Sequence, residues 1–192
     1  MSRTRLAAIL VPLFLTSAPA AFAEAPAAEG AAAPEHGGQL GDSLSELHAV
    51  SQWAVTLSEM ADKRAQSDLV KNYARSITTA NPPLDAKIQS VAKTKGIDLA
   101  AAAPQTEQRK SMNERMKAEA TLLGSLEGDA FDKEYMTLVT NTQQSVLNML
   151  KASKGSAKDP EAKQLMNELT STIQTRLKTA QNIMSKVYGN QI

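Results

Sequence analysis

Four stretches of this chain repeat apolar residues at intervals of three and four. That spacing puts them on one face of an α-helix and obliges each helix to cover the face with a neighbour. The first stripe is Leu47, Val50, Ala54, Leu57 and Ala61, widened by Trp53 and Met60. The second is Leu69, Tyr73, Ile77, Leu84, Ile88 and Val91, and the third runs from Phe131 through Tyr135, Val139, Thr142 and Val146 to Leu150. The fourth carries Ala162, Leu165, Leu169, Ile173, Leu177, Ala180, Met184 and Val187 to the C-terminus. No comparable run alternates with the period of two that a strand requires, so the fold class is all-α, a helical bundle.

Local signals set the helix ends. Ser43 followed by Glu46 has the spacing of a capping box, which predicts a first helix from about Leu44 to Ala65. Asp159 before Pro160 predicts the start of the last helix, with Pro at the first helical position, where its missing N–H costs nothing. The second helix, expected from Asp68 to the Gly96 stop, contains Asn81-Pro82-Pro83. Each proline removes a backbone donor and crowds the carbonyl four residues earlier, at about 3 kcal/mol in a helix interior. Asn81 could cap a fresh helix there, but Ile77 and Leu84 keep the stripe in phase across the prolines, so one kinked helix of about 27 residues is expected.

The connections set the architecture. Short links join the first two long helices and the last two, which predicts two antiparallel hairpins. Between them lie more than thirty residues, with a weak helix expected at 106–126 carrying Met112, Met116, Leu122, Leu123 and Leu126. Two hairpins joined by a long, partly helical crossover make a ferritin-like four-helix bundle; a simple up-down bundle with 106–126 as a full fifth helix is the alternative.

The ends of the chain carry other information. Arg3 and Arg5 precede the apolar run Leu6–Leu15, and Ala21-Phe22-Ala23 supplies small residues before Glu24. Residues 1–23 therefore read as a secretory signal peptide, because the apolar run is about half the twenty residues needed to cross a bilayer. Residues 24–42, rich in Ala, Pro and Gly, read as a flexible spacer, and 43–192 as the bundle domain. The expected location is periplasmic or secreted, with no transmembrane segment after signal cleavage.

Composition narrows the chemistry. The chain has no Cys and only two His, His36 in the spacer and His48 at the start of the first helix. Without disulfides, the domain must rest on its apolar core. Cleavage removes Arg3 and Arg5 from the 21 basic residues, leaving 19 against 20 acidic ones scattered along the helices, so nucleic acid is not an expected partner. No Ser-His or Cys-His pairing and no glycine-rich phosphate loop suggests itself. No catalytic residue, cofactor or metal ligand is assigned, and His48 is expected to pair on the surface with polar neighbours on its flank. Trp53, Met112 and Met116 are candidate surface contacts for an unidentified envelope partner, which an exposed apolar patch around them would support.

Met60-Ala61, Val70, Ala74, Ile77, Leu84, Lys95-Gly96-Ile97, Phe131-Asp132 and Tyr135-Met136 resemble the secreted bacterial family of domain of unknown function 4142, over roughly Leu44 to Met184. The resemblance implies a ferritin-like bundle without a settled activity. It also implies a Glu in the first helix, an Asp-His pair in the second, another in the third long helix and a His in the last. This chain carries Ala54, Ala80-Asn81, Asn141-Thr142 and Arg176 at those places. The degenerate positions are thus Ala54, Asn81, Thr142 and Arg176, and the expectation is a non-catalytic binding, structural or envelope-stress role. The alternatives are a metal-binding or oxidase-type ferritin relative and an assembly module of an envelope complex.

Overall fold

The computed structural model describes residues 38–100, 107–156 and 158–189. The signal-peptide reading, most of the spacer and His36 lie outside them. The described residues form five helices: α1 Gly38–Arg64, α2 Asp68–Thr94, α3 Glu107–Ser125, α4 Gly128–Ser156 and α5 Pro160–Tyr188. Among the described residues there is no strand, and no helix is long and apolar enough to cross a membrane.

α1 packs chiefly on α2 and α4 on α5, while α1 also meets α4 and α2 meets α5. The directions follow from the side chains that meet. His48, Ser51 and Asp62 of α1 bond Asp85, Asn81 and Arg75 of α2, so numbers rise on one helix as they fall on the other. The same antiparallel relation holds between α1 and α4 through Ser43 with Ser153 and Ser58 with Tyr135. It holds between α2 and α5 through Asn81 with Arg176 and Lys95 with Asp159. α3 instead runs parallel to α1: Trp53 Nε1 donates to the Met116 carbonyl at 3.2 Å, and Arg64 donates to the carbonyls of Gly124 at 2.8 Å and Leu126 at 2.7 Å. The Arg64 guanidinium thereby satisfies carbonyls that the end of α3 leaves open, while lying 5.1 Å from the centroid of the Phe131 ring.

Three local expectations meet the structure differently. α2 is continuous through Pro82 and Pro83, both exposed, while Asn81 beside them is buried. The prolines thus lie on the solvent side, where the helix can bend without breaking the apolar stripe. Asp159 caps α5 as expected, accepting from the Ala162 amide at 2.9 Å. The capping box at Ser43 does not form, because α1 begins at Gly38 and residues 38–42 are helix rather than spacer. Ser43 is buried inside the helix, its hydroxyl bonded to the Gln39 carbonyl at 2.9 Å and to the Ser153 hydroxyl at 2.8 Å. Contacts more than a hundred residues away in sequence override the local start signal.

The turn between α1 and α2 is held by a side chain from α4. The Asp132 carboxylate, 1% exposed, accepts from the Ser67 amide at 2.7 Å and from the Gln66 amide at 3.0 and 3.2 Å. Ser67, at the N-cap of α2, makes no side-chain cap of its own, so Asp132 takes over that task from a distant helix. Gly128, which opens α4, has φ +57°, and a Cβ there would come within 3.0 Å of Gln66 Oε1. The positive φ favours glycine at this junction, whereas the Gln66 amide, at the end of a flexible side chain, could move aside.

The core divides into two clusters along the bundle axis. One gathers Leu57, Val70, Tyr73, Phe131, Tyr135, Met136 and Ile183, and the other Leu44, Leu47, Ile88, Val91, Leu150, Leu165 and Met166. What separates them defines the site.

Candidate functional site

Between the two clusters each long helix turns a polar residue inward. α1 contributes the carbonyl of Ser51, α2 Asn81, α4 Thr142 and Gln143, and α5 Arg176. All five residues line one cavity of about 60 Å³. The remaining walls are apolar, with Leu47, Val50, Ile77, Leu84, Val146 and Ile173 among them. The positioning is that of the stripes themselves: Ile77, Asn81, Leu84 and Ile88 all reach the cavity at intervals of four, three and four, so α2 stays in phase through its prolines.

The polar groups are connected. Asn81 Nδ2 donates to the Ser51 carbonyl at 3.2 Å, and Asn81 Oδ1 accepts from Arg176 Nη1. Gln143 Nε2 donates to the Tyr73 hydroxyl. Two atoms in this layer are buried and have no partner, Arg176 Nη2 and Gln143 Oε1. Burial pushes the Arg176 guanidinium below its ordinary value, partly countered by Tyr73. Burial also raises the Tyr73 hydroxyl, with Gln143 and then Arg176 pulling the other way. The phenol is therefore neutral at physiological pH and supplies no counter-charge, and no carboxylate lines the cavity.

The structure thus brings Ala54, Asn81, Thr142 and Arg176 to the walls of one cavity, while Ala80 and Asn141 are exposed. A cation does not suit this donor set. Asn81 Oδ1 is already occupied by Arg176, the other oxygens are neutral amide and hydroxyl groups, and the guanidinium would repel a metal ion at close range. Among the described residues, no group of three or more His, Cys, Asp or Glu is placed to hold a metal.

Trp53, Met112 and Met116 also come together, but in a groove rather than on an open patch. They are half-buried and line a space of about 220 Å³ between α1, α3 and α4, together with Glu46, Arg115, Glu119 and Met149. Val50, Trp53, Thr142 and Val146 line both the groove and the inner cavity. The large apolar side chains most open to solvent are elsewhere, Leu69 and Leu122. His48 pairs at the surface: Nδ1 lies 2.7 Å from Asp85 Oδ1, and Nε2 lies 3.1 Å from the Gln52 amide nitrogen. Nδ1–H therefore donates to the carboxylate and Nε2 accepts from Gln52.

Sequence reasoning did not single out Gln143, and Asp132 entered it only within the Phe131-Asp132 pair of the resemblance, with no role assigned. Both obey the helical spacing, since Asp132, Met136, Val139, Gln143 and Val146 follow one another at four, three, four and three and are all buried. A polar residue in phase with a stripe was the available signal.

The fold and the site together define an all-helical protein with a polar layer inside its bundle. The sequence matches a family model, "Domain of unknown function (DUF4142)", over residues 23–183, and the chain belongs to that family. No curated protein matches it. Among solved structures it is similar to a Streptomyces coelicolor DUF305 protein described as secreted, with a TM-score of 0.62 and 15% identity, covering 79% of this chain and 93% of that one. At that identity the likeness speaks for the fold alone.

Proposed function

We propose that the protein is exported to the periplasm or beyond and works there as a ferritin-like four-helix bundle with a binding role rather than a catalytic one. Support for the ferritin-like reading comes from the path of the chain. The α1–α2 and α4–α5 hairpins are antiparallel, and α3 runs back along α1 as the crossover between them. Support for export comes from the Arg3/Arg5, Leu6–Leu15 and Ala21–Ala23 pattern.

The observation that carries the binding role is the Arg176 guanidinium in the polar layer, at a level where metal-dependent members of such a fold would gather carboxylates and imidazoles. A half-buried cation with an unpartnered, inaccessible N–H and no carboxylate lining its cavity favours holding a molecule over activating oxygen at a metal. The test is to purify the mature protein from its native compartment and measure metal by elemental analysis. The expected result is less than stoichiometric iron, copper, zinc or manganese, and a stoichiometric amount of any of them overturns the reading.

A further inference from the structure

The polar layer contains a donor and an acceptor that do not satisfy each other. Arg176 Nη2 and Gln143 Oε1 belong to residues lining the same cavity, both atoms are buried, and neither has a partner. Gln143 is 7% exposed, so water outside the bundle does not solve its problem. Its amide can also turn over at little cost. The Tyr73 hydroxyl both donates and accepts, so it can bond the Gln143 oxygen as readily as the nitrogen, freeing the NH2 group to donate elsewhere. Asn81 has no such freedom, because its amide is fixed at both ends by the Ser51 carbonyl and Arg176.

Arg176, Gln143 and Thr142 all line the cavity, but neither unpartnered atom presents surface to a water-sized probe, so a ligand gains the arginine N–H and the amide N–H only once those two side chains swing towards it. Two or three donors, one of them cationic, match the two oxygens of a carboxylate. They do not match phosphate or sulfate, which need more donors than aliphatic walls provide. Those walls suit a short hydrocarbon instead. The space is less than half the roughly 150 Å³ that accommodates benzene in an engineered protein cavity, which sets the ligand at a few carbon atoms. A longer tail would have to pass Val50, Trp53 and Val146 into the groove beneath α3.

We propose that the layer formed by Arg176, Gln143 and Thr142 binds the carboxylate of a short aliphatic monocarboxylic acid, with the tail against Val50, Val146 and Ile173. The site rests on the binding role proposed above and adds the chemical class of the ligand. Trp53 is the only tryptophan of the chain and borders the cavity, so its fluorescence reports occupancy directly.

The experiment titrates the mature protein with acetate, propionate, butyrate and hexanoate, and with butyramide as the uncharged counterpart of butyrate, following Trp53 emission and heat of binding. The same titrations are run on Arg176→Met and Arg176→Lys, with far-UV circular dichroism on each. Saturable butyrate binding is expected, weakened at least about tenfold for butyramide and for Arg176→Met, because a hydrogen bond to a charged group is lost in each case. Arg176→Lys should keep part of the affinity. Equal binding of butyrate and butyramide overturns the proposal without reference to any variant. So does butyrate binding that survives Arg176→Met in a folded protein, or no saturable binding of any of these acids at millimolar concentration, which would leave a cavity holding water only. Failure of the carboxylates in a metal-free preparation leaves the broader binding role standing, whereas stoichiometric metal in that preparation removes the broader role itself.

Discussion

Replacing Asp132 by alanine should be among the most damaging single changes in this protein, although the residue lines neither the inner cavity nor the groove and lies in no motif of known chemistry. Its carboxylate holds two backbone amides, those of Gln66 and Ser67, at the start of α2. A net hydrogen bond to a charged acceptor is worth about 1.5–3 kcal/mol, and the helix N-terminus adds up to about 1 kcal/mol for a negative charge placed there. Against this stands the cost of keeping a carboxylate that is 1% exposed out of water, which the alanine variant recovers. The two amides are then left without a partner inside the protein, so the expected net loss is about 3 kcal/mol. A domain of this size loses roughly 2–4 °C of melting temperature per kcal/mol, so the melting point should fall by about 6–12 °C.

The assay is urea unfolding followed by circular dichroism, with thermal melts alongside. Asp132→Ala should move the midpoint without changing the slope, as expected when stability changes but the surface exposed on unfolding does not. Asp132→Asn, which keeps one acceptor oxygen and loses the charge, should fall between the two. Asp42→Ala, an exposed position on α1, serves as a control and should stay within about 0.5 kcal/mol of the parent. If Asp132→Ala also stays within about 0.5 kcal/mol, the α1–α2 turn is not held from α4 and the reasoning fails.

Two further outcomes follow from the same structure. All three tyrosines have raised pKa values: burial lifts Tyr73 and Tyr135 from the usual 10.0, and Tyr188 is pushed up to about 12 by desolvation first, then by Asp132 and Asp129. A raised folded-state value leaves stability intact below pH 10 and erodes it as pH climbs towards the folded values, because the unfolded chain ionises first. A spectrophotometric titration should show little tyrosinate near pH 10 and a cooperative rise as helicity is lost; ordinary titration at pH 10 with the helices intact would contradict this. Replacing both Pro82 and Pro83 by alanine should raise stability by about 1–2 kcal/mol, since two helix-interior penalties of up to about 3 kcal/mol each are relieved, offset in part by a more flexible unfolded chain. A lower urea midpoint for that variant would mean that the prolines themselves hold the packing.

The legible parts of this fold were those where a local pattern and the packing agreed. α2 is the clearest instance, because Ile77 and Leu84 fixed its phase through two prolines that propensity alone would have read as a break. Asp159 was legible too, since its cap closes within three residues. The start of α1 was not. Ser43 had the spacing of a cap, but Ser153 and the Leu99 carbonyl, which accepts from Ser45 at 2.9 Å, draw that segment into the packed bundle. The site divides in the same way. Position by position along the helices, Ala54, Asn81, Thr142 and Arg176 could be named from a resemblance, whereas the bond from Arg176 to Asn81 spans 95 residues and depends on tertiary structure. Gln143 was hidden because a neutral polar residue in an apolar stripe draws no attention until its neighbours are known.

A polar layer between two apolar clusters can serve to fix the register of helices that would otherwise slide, the best supported use of buried polar groups. That account covers part of what is present here. Asn81 bonded to the Ser51 carbonyl ties α2 to α1, and its bond to Arg176 ties α2 to α5, so both pairings have a fixed register. Register needs no positive charge, however, and an amide or hydroxyl at position 176 would supply a hydrogen-bond donor without drawing a half-buried guanidinium into the layer. Nor does register need Gln143 to hold a second amide atom away from every partner. Apolar residues at these two positions would merge the clusters into one core and are expected to stabilise the bundle. What register leaves over is a cation and a reorientable amide on residues that line one small apolar space, at the same level as the prolines of α2, and an anion with a short tail is the chemistry that uses both.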